Sequence, residues 1–158
     1  KLLFTYQKPL YFHIRNIVLD HDDTDDVLQN TFIKIFQNLK NFKGDSKLYS
    51  WMYRIATNES LTFIKQKAKK NKISTEELNT KIIDNLAADV YFEGDEIQIK
   101  LQKAIALLPT KQQLVFKMKY FEELKYEEIA VILDTSVGAL KASYHHAVKK
   151  IEAFVTSN

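Results

Sequence analysis

Apolar residues recur every three or four positions through most of this chain, the spacing of helices that each bury one stripe. In the first half the stripe passes through Leu10, Ile14, Ile17 and Val18, then Val27, Leu28, Phe32, Ile35, Phe36 and Leu39, then Leu48, Trp51, Met52, Ile55 and Ala56. Three helices that share one core are predicted. The second is expected to begin near Asp23 and Thr24, whose oxygens can accept free backbone N–H groups while Asp25 and Asp26 complement the helix dipole. The third is expected to begin at Ser46, after the turn signal Gly44-Asp45.

At Lys65 the stripe dissolves into a lysine-rich run and then a polar, acidic segment ending near Glu96. A domain boundary is expected there, with Leu78, Ile82, Ile83 and Leu86 spaced for one short helix inside an otherwise disordered connector. Periodicity resumes with Ile97, Leu101, Ile105 and Leu108 until Pro109 breaks the helix. Thr110 and Gln113 stand at capping-box spacing, so a new helix is predicted through Leu114, Val115, Met118 and Phe121. Ile129, Ala130, Ile132 and Leu133 mark the next helix, followed by a short turn at Asp134 and Thr135 and a last helix capped by Ser136. Two helices joined by so short a turn form a helix-turn-helix pattern. The predicted fold is all-α, with two small helical domains, residues 1–70 and 97–158, joined by a linker at 71–96.

Composition narrows the function. With 3 glycines and 2 prolines in 158 residues, the chain lacks the turn residues of a strand-rich protein. The absence of cysteine rules out disulfides and thiolate metal sites, and none of His13, His21, His145 and His146 has the spacing of a zinc ligand. No metal or cofactor is expected. Apolar runs reach only five residues, as in Ala104 to Leu108, against about 20 for a membrane span. The amino terminus lacks a signal-peptide pattern, so a cytoplasmic location is expected. Lys at position 1 suggests that the native start is missing.

The net charge of +3 conceals an uneven distribution: +6 over residues 1–72, −5 over 73–100 and +2 over 101–158. Two basic blocks flank an acidic middle, which suits either an ordinary solvated surface or contact with nucleic acid. The last helix favours the second. At about 100° per residue, Leu140, Tyr144, Ala147, Val148 and Ile151 fall on its core side. Gly138, Ala142, His145, His146 and Lys149 lie opposite, with Ala139 and Lys141 towards the edges. Small side chains let a backbone approach base edges, and the lysines can reach phosphates. The plainer alternative is an amphipathic helix with a solvated face. The adjacent histidines read as polar DNA contacts or surface residues rather than metal ligands.

These residues resemble a known family, the extracytoplasmic-function (ECF) group of bacterial RNA polymerase sigma factors. The strings DTDDVLQNTFIKIF (Asp23 to Phe36), FKGDS (Phe42 to Ser46) and SWMYRIATN (Ser50 to Asn58) are similar to the family's domain two. LPTKQQLVF (Leu108 to Phe116), YEEIAVILDTS (Tyr126 to Ser136) and VGALKASYHHAVKKI (Val137 to Ile151) are similar to its domain four. Six such strings in order, across an acidic linker, are specific where each alone is weak.

The resemblance implies a non-enzymatic initiation factor whose partners are core RNA polymerase and promoter DNA, with no small-molecule substrate and no membrane insertion. It also allows for an anti-sigma factor, which no residue here identifies. Asp26, Gln29, Asn30 and Ile33 match positions that dock on the polymerase. An exposed carboxylate and amide are suitable partners for its basic side chains. Phe42, Lys43, Gly44, Asp45, Ser46 and Lys47, with Trp51, Tyr53, Arg54 and Asn58, match the part that recognises and opens the -10 element. Holding an unstacked base calls for aromatic rings, amides and cations. Trp51 has two readings, core residue or stacking platform, and its spacing with Leu48 and Ile55 favours the core. Ser136, Gly138, Ala139, Lys141, Ala142, His145, His146 and Lys149 match the reader of the -35 element.

The acidic linker is similar to the segment that occupies a basic nucleic-acid path in the polymerase. Departures from the family are clear as well. Lys65, Lys67, Lys69 and Lys70 replace a common Arg pair, which loses the bidentate fork, and Asp134 replaces a usual Gly. Ala139, Leu140 and Ala142 stand where Thr, Val and Ser are frequent, so the promoter sequence is not carried over.

Two rival readings remain. Asp22 to Asp26 is similar to the acidic cluster of magnesium-dependent prenyl-diphosphate enzymes, but that chemistry needs a second cluster across an apolar cavity, and none is present in the sequence. A helix-turn-helix repressor acting without polymerase would account for residues 108–154, but not for the aromatic and basic residues at 42–58.

Overall fold

A computed structural model describes residues 2–44, 47–86 and 94–157. Among these the fold is built from helices: α1 (Leu2–Val18), α2 (His21–Asn38), α3 (Leu48–Lys70), α4 (Thr75–Asp84), α5 (Glu96–Ala106), α6 (Thr110–Tyr120), α7 (Tyr126–Leu133) and α8 (Val137–Thr156), with a 3-10 turn at Leu39–Asn41 after α2.

The expected three-helix core forms in the first half. Leu10 and Ile14 of α1, Val27 and Ile35 of α2, and Met52 and Ala56 of α3 are all buried. At the other end of the predicted stripe Phe36 and Leu39 are exposed, as is Ile97 in α5. Helix α1 continues through Pro9, which lies on the solvent side.

Helix α2 starts earlier than Asp23. Leu19 takes a left-handed φ of 73° and turns the chain, leaving Asp20 extended at the N-cap. The Asp23 N–H donates to the Asp20 carboxylate at 2.9 Å, and the buried Thr24 hydroxyl donates to the Asp20 carbonyl at 2.6 Å. The expected caps thus became first-turn residues, because the preceding turn freed an aspartate three positions upstream. Helix α3 begins at Leu48 with Lys47 at the N-cap and no side-chain cap; Ser46, expected there, lies outside the described residues. It then runs through the expected break at Lys65 as far as Lys70, and Lys67 pairs with Asp23 at the start of α2.

The short connector helix exists as α4, capped by Ser74, whose hydroxyl accepts from the Glu77 N–H at 3.1 Å. Leu78, Ile83 and Leu86 are buried, so the described part of the connector is packed rather than disordered. The capping box expected at Thr110 and Gln113 does not form. Pro109 is the N-cap without a side-chain bond, and the Gln113 amide instead donates backward to the Leu108 carbonyl at 2.8 Å. It therefore satisfies a carbonyl left free at the end of α5, one of the groups a helix terminus leaves without a partner.

In the second half, α5 packs with α6 and α8 around Ile105, Leu108, Phe116, Ala147 and Ile151. Leu114, Val115, Met118, Ile129, Ile132 and Leu140 belong instead to the same continuous core as Leu10, Ile14 and Met52. The two helical domains therefore share a seam, along which α3 lies against α7.

Candidate nucleic-acid interface

The helix-turn-helix forms from α7 and α8. Asp134 takes the left-handed conformation, φ 52° and ψ 55°, that lets the chain turn within three residues. Aspartate tolerates that region better than most residues, which accounts for its standing where glycine is usual. The Ser136 hydroxyl then caps α8 by accepting from the Ala139 N–H at 3.2 Å. Leu140, Ala147 and Ile151 are buried beneath the helix, and Tyr144 stacks on Phe116 with ring centroids 5.9 Å apart. Burial pushes the Tyr144 phenol pKa up, with Tyr126 and Tyr120 adding to the effect.

On the other side Ser136, Gly138, Ala139, Lys141, Ala142, His145, His146 and Lys149 are all exposed. They form one strip of small and basic residues. Lys141 lies over the Tyr126 ring at 5.8 Å and remains free at the surface to meet a phosphate. His145 and His146 have their rings 6.0 Å apart at the end of the strip.

Helix α3 carries the second set. Arg54 and Asn58 are exposed one turn apart. Trp51 is half-buried against the shared core, and its ring lies 5.3 Å from that of the half-buried Phe42. It keeps an accessible part while packing as a core residue. Tyr53 is different: it is 7% exposed and stacks on His13 at 4.6 Å, so its ring is a core contact and is not available to a base in this conformation. This corrects its expected role, because a three-residue advance from Ser50 places Tyr53 on the inner face of α3. Burial, with Glu122 and Tyr6, raises its phenol pKa.

Lys43 and Gly44 are exposed in the loop before α3, where Gly44 has φ 79°, a conformation that a side chain would strain. Asp45 and Ser46 of the same loop lie outside the described residues. Lys47 reaches 3.5 Å from the Glu128 carboxylate of α7, and Arg54 reaches 3.7 Å from that of Asp134. Arg54, Asn58, Leu133, Asp134 and Thr135 line one open groove of about 460 Å³. The loop, α3 and the turn before α8 thus meet along the seam.

Asp26, Gln29, Asn30 and Ile33 share the exposed face of α2, with Ile33 50% exposed and Phe36 beyond it 54% exposed. A carboxylate, two amides and two apolar side chains on one face suit a mixed polar and apolar partner surface.

Three polar residues at the seam were not singled out from the sequence. His13 is buried, with Nε2 2.7 Å from the Thr57 hydroxyl and Nδ1 2.8 Å from a Glu122 carboxylate oxygen. Lys117 is also buried and donates to the Asn16 carbonyl at 2.5 Å. Its pKa falls from 10.5 to about 8 through burial, against the opposing pull of Glu122. The available signal was their place in the pattern. His13 interrupts the stripe of Leu10, Ile14 and Ile17, and Lys117 that of Leu114 and Met118, which marks a polar group where burial is expected.

The fold and this surface define a two-domain helical nucleic-acid-binding protein with a helix-turn-helix in its second domain. Family models agree on each half: sigma-70 region 2 matches residues 2–70, and sigma-70 region 4 matches residues 98–151. The RNA polymerase sigma-H factor of Pseudomonas aeruginosa is 28% identical over 96% of this chain and 82% of its own length. The ECF RNA polymerase sigma factor SigW of Bacillus subtilis is 28% identical over 89% of this chain and 79% of its own.

Two solved structures share the fold, both with a TM-score of 0.71 and coverage of 99% of this chain. One is the sigma factor RpoE in complex with the anti-sigma factor NepR from Bartonella quintana, 16% identical with 95% of its chain covered. The other is CnrH in complex with the cytosolic domain of CnrY, 19% identical with 86% covered. The chain belongs to the sigma-70 family, in its extracytoplasmic-function group: it binds core RNA polymerase and directs promoter-specific transcription initiation. Sigma factors are non-enzymatic transcription regulators. Among the described residues no helix is long and apolar enough to cross a membrane.

Proposed function

We propose that the work divides between residues 1–70, which bind polymerase and recognise and open the -10 element, and residues 97–158, which read the -35 element, with 71–96 as connector. The observation that carries this is the exposed strip of α8, from Ser136 to Lys149, set behind a short left-handed turn. Its small first-turn residues suit close approach to base edges in a major groove, and Lys141 and Lys149 suit the flanking phosphates. Gly138 has open space where a Cβ would stand, so its value is the backbone approach it permits rather than a packing need. On α3, Arg54 and Asn58 supply a cation and an amide to a separated strand, with Phe42 and Trp51 as aromatic neighbours.

On α2, Asp26, Gln29, Asn30 and Ile33 form the polymerase-docking face. The chain performs no bond chemistry of its own, works in the cytoplasm with its polymerase and takes an anti-sigma factor as a further partner. In the connector, the carboxylates of Asp84, Asp89, Glu93, Asp95 and Glu96 substitute for nucleic acid in a basic channel. Asp89 and Glu93 lie outside the described residues, and Asp95 also caps α5 by accepting from the Gln98 N–H at 3.0 Å.

Run-off transcription with core polymerase and genomic fragments, followed by start-site mapping, tests the reading. Defined starts preceded by two shared sequence elements are expected; initiation no different from core polymerase alone would refute it. Asn58→Ala should impair initiation more than core binding. Replacing Asp26 and Gln29 together should weaken core binding without loss of helix content, and an unchanged affinity would remove those residues from the interface. Tight binding of a palindromic duplex by the protein alone would favour the repressor reading.

A further inference from the structure

The two domains are held together by more than apolar contact. The Thr57 hydroxyl donates to the Tyr53 carbonyl at 2.7 Å, so towards His13 it accepts, from Nε2–H. Both carboxylate oxygens of Glu122 lie 2.8 and 2.9 Å from Nδ1, which therefore also donates. With two donating nitrogens, the ring that fits this site is the imidazolium, paired with a carboxylate from the other domain. Lys117 extends the cluster by closing the free end of α1 at the Asn16 carbonyl. Around it, Lys47 is turned to Glu128 and Arg54 to Asp134, so two cations assigned to promoter DNA are engaged with carboxylates of α7 and its turn.

We propose that this docking of domain four on domain two is a self-inhibited state, clasped by the buried pair of His13 and Glu122, in which the chain masks its own promoter-facing helix until polymerase separates the domains. The inference rests on the assignment of α3 and α8 to the two promoter elements.

Size supports it. A compact chain of this length has a radius of gyration of about 15 Å and a diameter on the order of 40 Å. Elements centred at -10 and -35 are separated by about 25 base pairs, or on the order of 85 Å of duplex. The closed molecule does not reach both, so the seam must part during initiation. A linker of residues 71–96 has the reach, since extended chain covers about 3.4 Å per residue.

The chemistry of the clasp suits a joint that opens. When two buried ions separate into water, each regains its hydration, so the pair adds specificity at little net cost to opening. Removing only one partner is different, because the other is left buried without compensation. Loss of Glu122 should therefore drive the domains apart rather than leave a closed seam with a defect.

The test uses the full chain, which contains no native cysteine. Dyes on cysteines at the exposed positions Lys8 and Glu152 report domain separation by energy transfer. Glu122→Ala should lower the transfer and tighten core-polymerase binding at least tenfold, since a mostly closed population weakens the observed affinity in proportion to its open fraction. Unchanged transfer, or opening without tighter binding, would overturn the proposal.

A second arm does not depend on how Glu122→Ala folds. Lys47→Cys with Glu128→Cys, bridged by a short bis-maleimide, should lose at least tenfold in run-off yield against the same variant capped with a mono-maleimide. Equal yields would overturn the masking. Failure of the wild-type chain to direct initiation would instead overturn the promoter assignment, so the two failures are distinguishable.

Discussion

Lys117 carries its ammonium into the seam, 5% exposed, and holds the Asn16 carbonyl at 2.5 Å. Burial lowers its pKa from 10.5 to about 8, with Glu122 opposing the shift. Between those two values the unfolded chain binds more protons than the folded one, so stability rises with pH through that window. Integrating both titrations from pH 7 to pH 9.5 gives a gain on the order of 2 kcal/mol.

With a urea slope of about 2 kcal/mol/M for a chain of this size, the unfolding midpoint should move up by about 1 M. Above about pH 10 the gain should reverse, because Tyr53 keeps its proton in the fold while the unfolded phenol loses it. The assay is equilibrium urea unfolding followed by far-ultraviolet circular dichroism at half-unit pH steps, on the wild type and on Lys117→Met. The variant removes the titrating group while keeping most of the side-chain volume. A wild-type midpoint that stays flat or falls between pH 7 and 9.5 would refute the reasoning, as would an equal rise in Lys117→Met.

Met52 is fully buried where the three helices of the first domain meet, so Met52→Ala should cost about 2 to 5 kcal/mol, read as a fall in urea midpoint. Ser136→Ala removes the α8 cap and should cost about 1 kcal/mol by the same measurement. Asp134→Gly should stabilise by up to about 1 kcal/mol, because glycine accepts the left-handed conformation freely. The pair it forfeits with Arg54 is 3.7 Å long and exposed, and so contributes little. A lower melting temperature for Asp134→Gly would count against the left-handed strain.

Much of this architecture was legible along the chain. Helix periodicity located the three helices of the first domain, the short connector helix, and the helix-turn-helix with its exposed strip. Those features are local: the stripe, the breaker at Pro109 and the cap at Ser136 act within a few residues of where they are read. Errors fell where a local signal had a competitor. Asp20 took the capping role expected of Asp23 and Thr24 once Leu19 turned the chain, and Gln113 spent its amide on the Leu108 carbonyl instead of the helix it was expected to begin. Tyr53 was assigned outward with its motif, yet its position on α3 turns it inward onto His13.

The amino-acid sequence by itself determined the helical class, the order of the elements, the uneven charge and the family, since each depends on residue type and spacing within a segment. Only the tertiary structure decided what the buried stripes pack against. His13 meets Glu122 across 109 positions and Lys117 meets Asn16 across 101. Periodicity marks a face as buried but carries no information about its partner. A polar residue on such a face signals that some partner exists, and the packing of one domain on the other supplies which.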